Sequence, residues 1–276
     1  MGRLRISAIS YLNTAPLMWD FEHGSVGSEF QIFYTIPFAC AEALRDGTAD
    51  IGIIPAAAYA SIPELVILPG VAIASRRPVR SILLVSKMPL QNARSLALDT
   101  SSVTSVALLK VILAKWVGGE RVFSSMRPDL RQMLRDHDAG LLIGDPALQV
   151  DRSRYHCYDL AEEWIRHTGK PFVFAFWAVR KAALQDKPAK LDLAAIFQES
   201  RDHGLGKIND IARMWGPRLG LSEADVRKYL TENIYYYLDS GCLDGLLLFY
   251  RYAAECGVLP PAPALQFYDA LKPAIR

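Results

Sequence analysis

The sequence predicts an α/β fold in two lobes with a hinged cleft between them and a helical C-terminal part. Three observations carry this. Short apolar runs alternate with helix-length segments from Ile6 onward, at a spacing that parallel strands with right-handed crossovers produce. A second set of such units starts after Ser86, and the apolar run Phe172 to Val179 is placed to return the chain to the first sheet. From Leu191 the pattern is helical throughout. The expected division is a discontinuous first lobe, residues 1–85 plus 178–276, with residues 86–177 inserted as the second. Two chain crossings leave a cleft, the usual place for a small ligand at a domain interface.

In order, Ile6, Ala8 and Ile9 read as a first buried strand. Ser10-Tyr11-Leu12-Asn13 breaks it, and Thr14 is placed to cap a helix carrying Pro16 in its first turn. Phe30 to Ile36 is a second strand, Pro37 to Arg45 a helix stopped at Asp46-Gly47, and Asp50 to Pro55 a third strand. The Ala56-Ala57-Ala58 run starts another helix. Val66 to Ser75 and Ser81 to Ser86 are two further apolar strands around Arg76-Arg77-Pro78. Beyond them come the strand Ser95 to Asp99 and the polar turn Thr100 to Thr104. The helix Ser105 to Val117 then ends at Gly118-Gly119. Pro128 to Asp136 is an amphipathic helix, and the strand Ala139 to Ile143 runs into Gly144-Asp145-Pro146. In the C-terminal part, Gly220-Leu221-Ser222-Glu223 reads as a helix stop and a fresh N-cap. Val226, Leu230 and Ile234 continue in helical register. The Tyr235-Tyr236-Tyr237 run and Phe249, Tyr250 and Tyr252 read as helix packing.

The chain has 276 residues, 51% of them hydrophobic and 22% charged, which suits a globular protein with a sizeable core. A formal net charge of +2, with no basic block interleaved with aromatics, argues against nucleic acid as a partner. Cys40, Cys157, Cys242 and Cys256 stand far apart and read as single thiols in a reducing compartment. Five histidines without a His-Glu-x-x-His pattern argue against a metal site. Met1-Gly2-Arg3-Leu4-Arg5 looks like the start of an export signal, but Ser7, Ser10 and Asn13 interrupt the apolar run after it. No run approaches about 18 apolar residues, so no membrane span and a cytoplasmic location are expected.

Four polar turns face the cleft in this layout. The first is Ser10 to Asn13. The second is Pro55-Ala56-Ala57, whose small side chains let backbone N–H groups approach a ligand. The third, Asp99 to Ser105, crowds hydroxyls and orphan N–H donors at a helix start; it suits a carboxylate or phosphate, and serves equally as plain N-capping. In the fourth, Gly144-Asp145-Pro146, the acid is a helix cap or a cleft carboxylate. A Gly-x-Ser-x-Gly elbow, a phosphate-binding Gly-x-x-x-x-Gly-Lys loop and a Rossmann glycine triplet are all absent from the sequence. These residues describe a cleft for a small anion and name no reaction.

A resemblance goes further. Ile9-Ser10-Tyr11-Leu12-Asn13-Thr14-Ala15-Pro16-Leu17 closely resembles the opening motif of the MqnA family of menaquinone biosynthesis, the chorismate dehydratases of the futalosine pathway. The likeness continues at Asp50 to Pro55, Pro78 to Leu84, Leu98 to Ser105, Leu142 to Leu148 and Asn233 to Leu238, in order over nearly the whole chain. The later-pathway MqnD enzymes open with a different polar motif and are the second reading within the family.

The resemblance implies a periplasmic-binding-protein-like fold of the second type. It also implies loss of water from chorismate to give 3-[(1-carboxyvinyl)oxy]benzoate, with no metal or organic cofactor. In that reading Ser101, Ser102, Thr104 and Ser105 hold a substrate carboxylate at the helix start, and Ala56 and Ser81 add substrate contacts. Asn13, with Ser10 and Tyr11, meets the departing hydroxyl or the enolpyruvyl group. Asp145 is the protein's candidate base, and the substrate's own carboxylates are the alternative. Two positions depart from the family pattern: Arg77 stands where a glycine is usual, and Val103 where a basic residue is common. They leave open which side chain neutralises a substrate carboxylate. A solute-binding protein would share the fold but carry an export signal or lipidated cysteine, and a ligand-sensing regulator would add a DNA-reading helix. The sequence shows neither feature, and it carries no signal for oligomeric state.

Overall fold

The computed structural model describes residues 3–185 and 191–269, so Met1 and Gly2 of the basic opening lie outside the described residues. The strands are β1 (Leu4–Ile9), β2 (Phe30–Thr35), β3 (Ile51–Pro55), β4 (Leu65–Ser75), β5 (Ile82–Ser86), β6 (Ser95–Asp99), β7 (Val122–Met126), β8 (Ala139–Ile143), β9 (His156–Asp159) and β10 (Phe172–Arg180). They form two five-stranded sheets, ordered β2-β1-β3-β10-β4 and β7-β6-β8-β5-β9. The helices are α1 (Trp19–His23), α2 (Pro37–Arg45), α3 (Thr104–Ile112), α4 (Leu130–Asp136), α5 (Asp145–Leu148), α6 (Leu160–Thr168), α7 (Lys181–Gln185), α8 (Leu193–Gly206), α9 (Ile208–Leu219), α10 (Glu223–Lys228) and α11 (Ser240–Glu255).

The expected parallel pairing holds where successive strands are joined through local helices. β1 lies parallel to β2 and β3, and β6 lies parallel to β7 and β8. It fails for the strands that arrive from the other lobe. β10 runs antiparallel to β3 and β4, and β5 antiparallel to β8 and β9. The physical reason is direction of arrival: a crossing chain enters its sheet from the cleft edge, where the locally built strands end. By sheet membership the chain crosses between Ser75 and Ile82 and again between Asp159 and Phe172. The expected boundaries at 85/86 and 177/178 therefore cut through β5 and β10.

Other expectations also change. Thr14 does not cap the first helical segment: the 3-10 helix Leu12–Met18 starts after Tyr11, with Thr14 inside it and buried. The Leu12 N–H is instead taken by the Asp145 carboxylate at 3.0 Å. The apolar helix after Thr104 is α3, which widens into a π turn over Leu113–Val117 and stops at Gly118, φ 68°. Tyr235 to Tyr237 is not helical. A π turn, Tyr229–Asn233, ends the preceding helix, and Tyr235 pairs with Ala74 on the open edge of β4 through bonds of 2.8 and 2.9 Å. Phe267 bridges Ile67 on the same strand. Gly220 (φ 65°) and the Ser222 cap on Asp225 N–H stand as expected.

One main core runs through both sheets, with Trp164, Trp177, Phe176 and Phe197 among its largest buried side chains. A smaller cluster around Leu83, Val85 and Met133 lies against the second sheet. Cys40 and Cys242 are buried and Cys157 and Cys256 half-buried, all as free thiols. Among the described residues no helix is long and apolar enough to cross a membrane.

Candidate functional site

The polar turns at the ends of β1, β3, β6 and β8 meet where the two sheets face each other. From the first lobe, Leu12 N–H donates to Asp145 Oδ1, and Ala57 N–H donates to Thr104 Oγ1 at 3.0 Å. Phe38 N–H reaches Ser101 O at 3.2 Å. Gly144 sits at φ 62°, a conformation glycine adopts freely. A Cβ there would lie 2.7 Å from the Tyr11 ring, so the same glycine lets Tyr11 pack closely against the second lobe.

These contacts enclose an inner cavity of about 50 Å³. Tyr11 and Asn13 line it from one lobe, and Ser102, Thr104, Ser105 and Gly144 from the other, with Ile73, Ile82, Ile143 and Phe174 as apolar walls. Ser102 Oγ accepts from Ser105 N–H at 3.2 Å, and Thr104 Oγ1 accepts from Ala57 N–H. A hydroxyl that accepts from the backbone keeps its own O–H to donate. Asn13 is oriented too: its Oδ1 accepts from the Thr14 hydroxyl at 3.3 Å, and its NH₂ turns the other way, where one N–H meets the Tyr229 phenol and one is left for the cavity. Both walls thus present neutral donors to the cavity.

Four expected site residues stand behind this lining. Ser101 donates to Asp99 Oδ1 at 2.6 Å, and the buried Asp99, whose pKa burial raises, also takes Ser101 and Ile143 N–H. Ser81 is fully buried and accepts from the Tyr229 hydroxyl at 2.8 Å. Ala56 is buried, its carbonyl held by the Tyr250 hydroxyl at 2.6 Å. Asp145 follows Gly144 of the lining; burial pushes its pKa up to about 6, and the Leu12 N–H pulls against that shift. Its Oδ2 accepts no hydrogen bond from a described residue. Ser10 is exposed and faces a separate outer cavity that shares Tyr11 and Ile9 with the inner one.

Sequence reasoning missed Tyr229. Its phenol, fully buried and raised in pKa by that burial, donates to Ser81 and faces Asn13. It is one tyrosine on a C-terminal helical turn, with no local signal to tie it to residues 13 and 81. Among the described residues no group of three His, Cys, Asp or Glu side chains is placed to hold a metal ion.

The fold is that of the periplasmic-binding proteins. The periplasmic aliphatic sulphonate binding protein SsuA of Escherichia coli superposes with a TM-score of 0.64 at 16% identity, covering 99% of this chain and 96% of that one. A protein of Archaeoglobus fulgidus gives 0.75 at 17% identity, covering 93% and 98%. In sequence, the chorismate dehydratase of Thermus thermophilus is 30% identical over 271 residues, 92% of this chain and 94% of the relative. The family described as menaquinone biosynthesis matches residues 4–255. The resemblance of the opening motif is borne out, and the chain belongs to the menaquinone biosynthesis family.

Proposed function

We propose that this protein eliminates water from chorismate to give 3-[(1-carboxyvinyl)oxy]benzoate in the futalosine route to menaquinone, with no metal or organic cofactor. The observation that carries the reading is the inner cavity, where Asn13 of one lobe faces the hydroxyl-rich start of α3 on the other. The relative named chorismate dehydratase supports the same reaction.

The substrate carboxylate is held at the start of α3, where the Ser102 and Thr104 hydroxyls donate and the helix dipole favours negative charge. Fixing it there orients the ring, and orientation supplies much of the rate. The Asn13 NH₂ donates to the departing hydroxyl. A ring C–H and the neighbouring C–O bond break, the proton taken from the ring is passed on to the departing hydroxyl, which leaves as water, and aromatisation drives the step. Asp145 takes the ring proton through Oδ2; a carboxylate with a pKa of about 6 is matched to a base working near neutrality. The Leu12 bond favours a second role for it, a latch between the lobes, and then a substrate carboxylate takes the proton.

The test is to add purified protein to chorismate and identify the product by mass and proton NMR. The expected product is lighter by one water, and Asn13→Ala lowers turnover by about a hundredfold or more. Asp145→Asn lowers it by about 10²–10⁴ if the residue is the base. Near-normal turnover in that variant moves the proton to the substrate. Tight binding without water loss makes the protein a small-anion binder of the same fold, and neither binding nor turnover sinks the proposal.

A further inference from the structure

The inner cavity poses a charge problem. Among the described residues lining it there is no lysine or arginine; Val103 stands on the wall, and Arg77 is not part of the lining. A substrate with two carboxylates would meet neutral donors there, which select geometry at short range and attract little at long range.

The outer cavity, about 210 Å³, supplies the missing cation. Tyr11, with Ile9, lines both cavities, and its ring is backed by Gly144 of the opposite lobe. Arg218, from the last turn of α9, lines the outer side. It is exposed, forms no ion pair with a described residue, and rests over the Trp215 ring with its guanidinium 5.4 Å from the centroid. On the same lining Glu22 accepts from the Tyr34 hydroxyl. The cavity thus offers one guanidinium, one carboxylate, the His23 imidazole, the Ser10 and Thr14 hydroxyls and the aromatic rings of Trp215, Tyr34 and Tyr11. That is a set for a small ring carrying both a carboxylate and a hydroxyl. The carboxylate turns to Arg218 and the hydroxyl to Glu22, which would repel the opposite pose. Parting the lobes would take Gly144, the backing of Tyr11, away from the boundary between the two cavities.

We propose that the outer cavity is a capture subsite for the anionic substrate, with Arg218 as its cation and Tyr11 at the boundary with the inner site. The proposal rests on the dehydratase reading for the identity of the ligand.

Arg218→Gln and Arg218→Lys test it, at an exposed position where replacement spares the fold. In Arg218→Gln, kcat/KM for chorismate falls about tenfold while kcat stays within about twofold, because capture is lost and chemistry is kept. Wild-type kcat/KM falls as NaCl rises from about 20 to about 500 mM; Arg218→Gln loses most of that dependence and Arg218→Lys retains it. Unchanged kcat/KM and salt dependence in Arg218→Gln overturns the subsite while leaving the dehydratase reading intact. So does a loss confined to kcat. If the wild type binds chorismate without turnover, the dehydratase reading fails alone, and a tenfold weaker Kd in Arg218→Gln still supports the subsite. If the wild type neither binds nor converts chorismate, both fall.

Discussion

Asp145 shows how one carboxylate serves two lobes. It stands in the first turn of α5, yet the N–H it takes belongs to Leu12, 133 positions earlier in the chain. A capping residue for the first helical segment was legible as a need, and Thr14 was the local choice. The acceptor used comes from the other lobe, which no window around residue 12 contains. Burial pushes the Asp145 pKa from 3.8 up to about 6. The folded protein therefore holds the proton more tightly than the unfolded chain. The stability this confers is complete below about pH 4 and is lost as pH rises through about 6. At neutral pH the charged, half-buried carboxylate costs up to about 3 kcal/mol relative to its protonated form. Asp145→Asn keeps an oxygen for Leu12 and carries no charge. It is expected to be more stable than wild type above pH 6, by up to about 3 kcal/mol, with the difference closing towards pH 4. Urea titrations across that range measure it; an offset independent of pH would show that the carboxylate charge is not what is strained.

At the scale of elements, the tightest joint lies between α8 and the 3-10 helix Leu12–Met18 that carries Asn13. A Cβ at Gly204 would stand 1.9 Å from the Pro16 carbonyl oxygen, a backbone atom with nowhere to go. Ser200 on the same helix donates to Leu17 O at 2.9 Å and accepts from Asp20 N–H at 3.2 Å. The helix thus seats the Asn13 segment from behind. Gly204→Ala is expected to cost about 1–3 kcal/mol in denaturant unfolding and to lower turnover along with it, since the displaced segment is a cavity wall. Wild-type stability in that variant would mean that the joint yields. Such joints leave no mark in the sequence, because glycine in a helix interior reads only as a weak helix former. What was legible followed local rules. Pro37 at a helix start and the buried runs of β3, β6, β8 and β10 announce themselves by apolar continuity and turn residues. β7 and β9 were not picked out, because as edge strands they keep exposed and polar residues and show no apolar run. Tyr235 to Tyr237 misled for the opposite reason: an aromatic run reads as core packing, while the open edge of β4 recruited its backbone.

For the molecule as a whole, the closed cleft decides how a ligand enters. The inner cavity is bounded by both lobes and bridged by contacts between them, so the lobes separate to admit a ring with two carboxylates and close again over it. Three amides report that motion directly. Leu12 N–H, Ala57 N–H and Phe38 N–H each belong to the first lobe and are each accepted by a group on the second. If the lobes part as rigid bodies about the crossings near residues 76–81 and 160–171, the three bonds open together. Native-state hydrogen exchange is then expected to give them one common opening free energy, below that of Ile53 and Leu141, which lie buried within β3 and β8. Chorismate at about a hundred times its Kd would slow exchange at the three amides about a hundredfold, the linkage expected of a ligand held by the closed form alone. Three unrelated rates would mean that the contacts break one by one, as loops fray. Rates equal to those of Ile53 and Leu141 would mean that the two lobes unfold as a single unit, and the substrate would then need another way in.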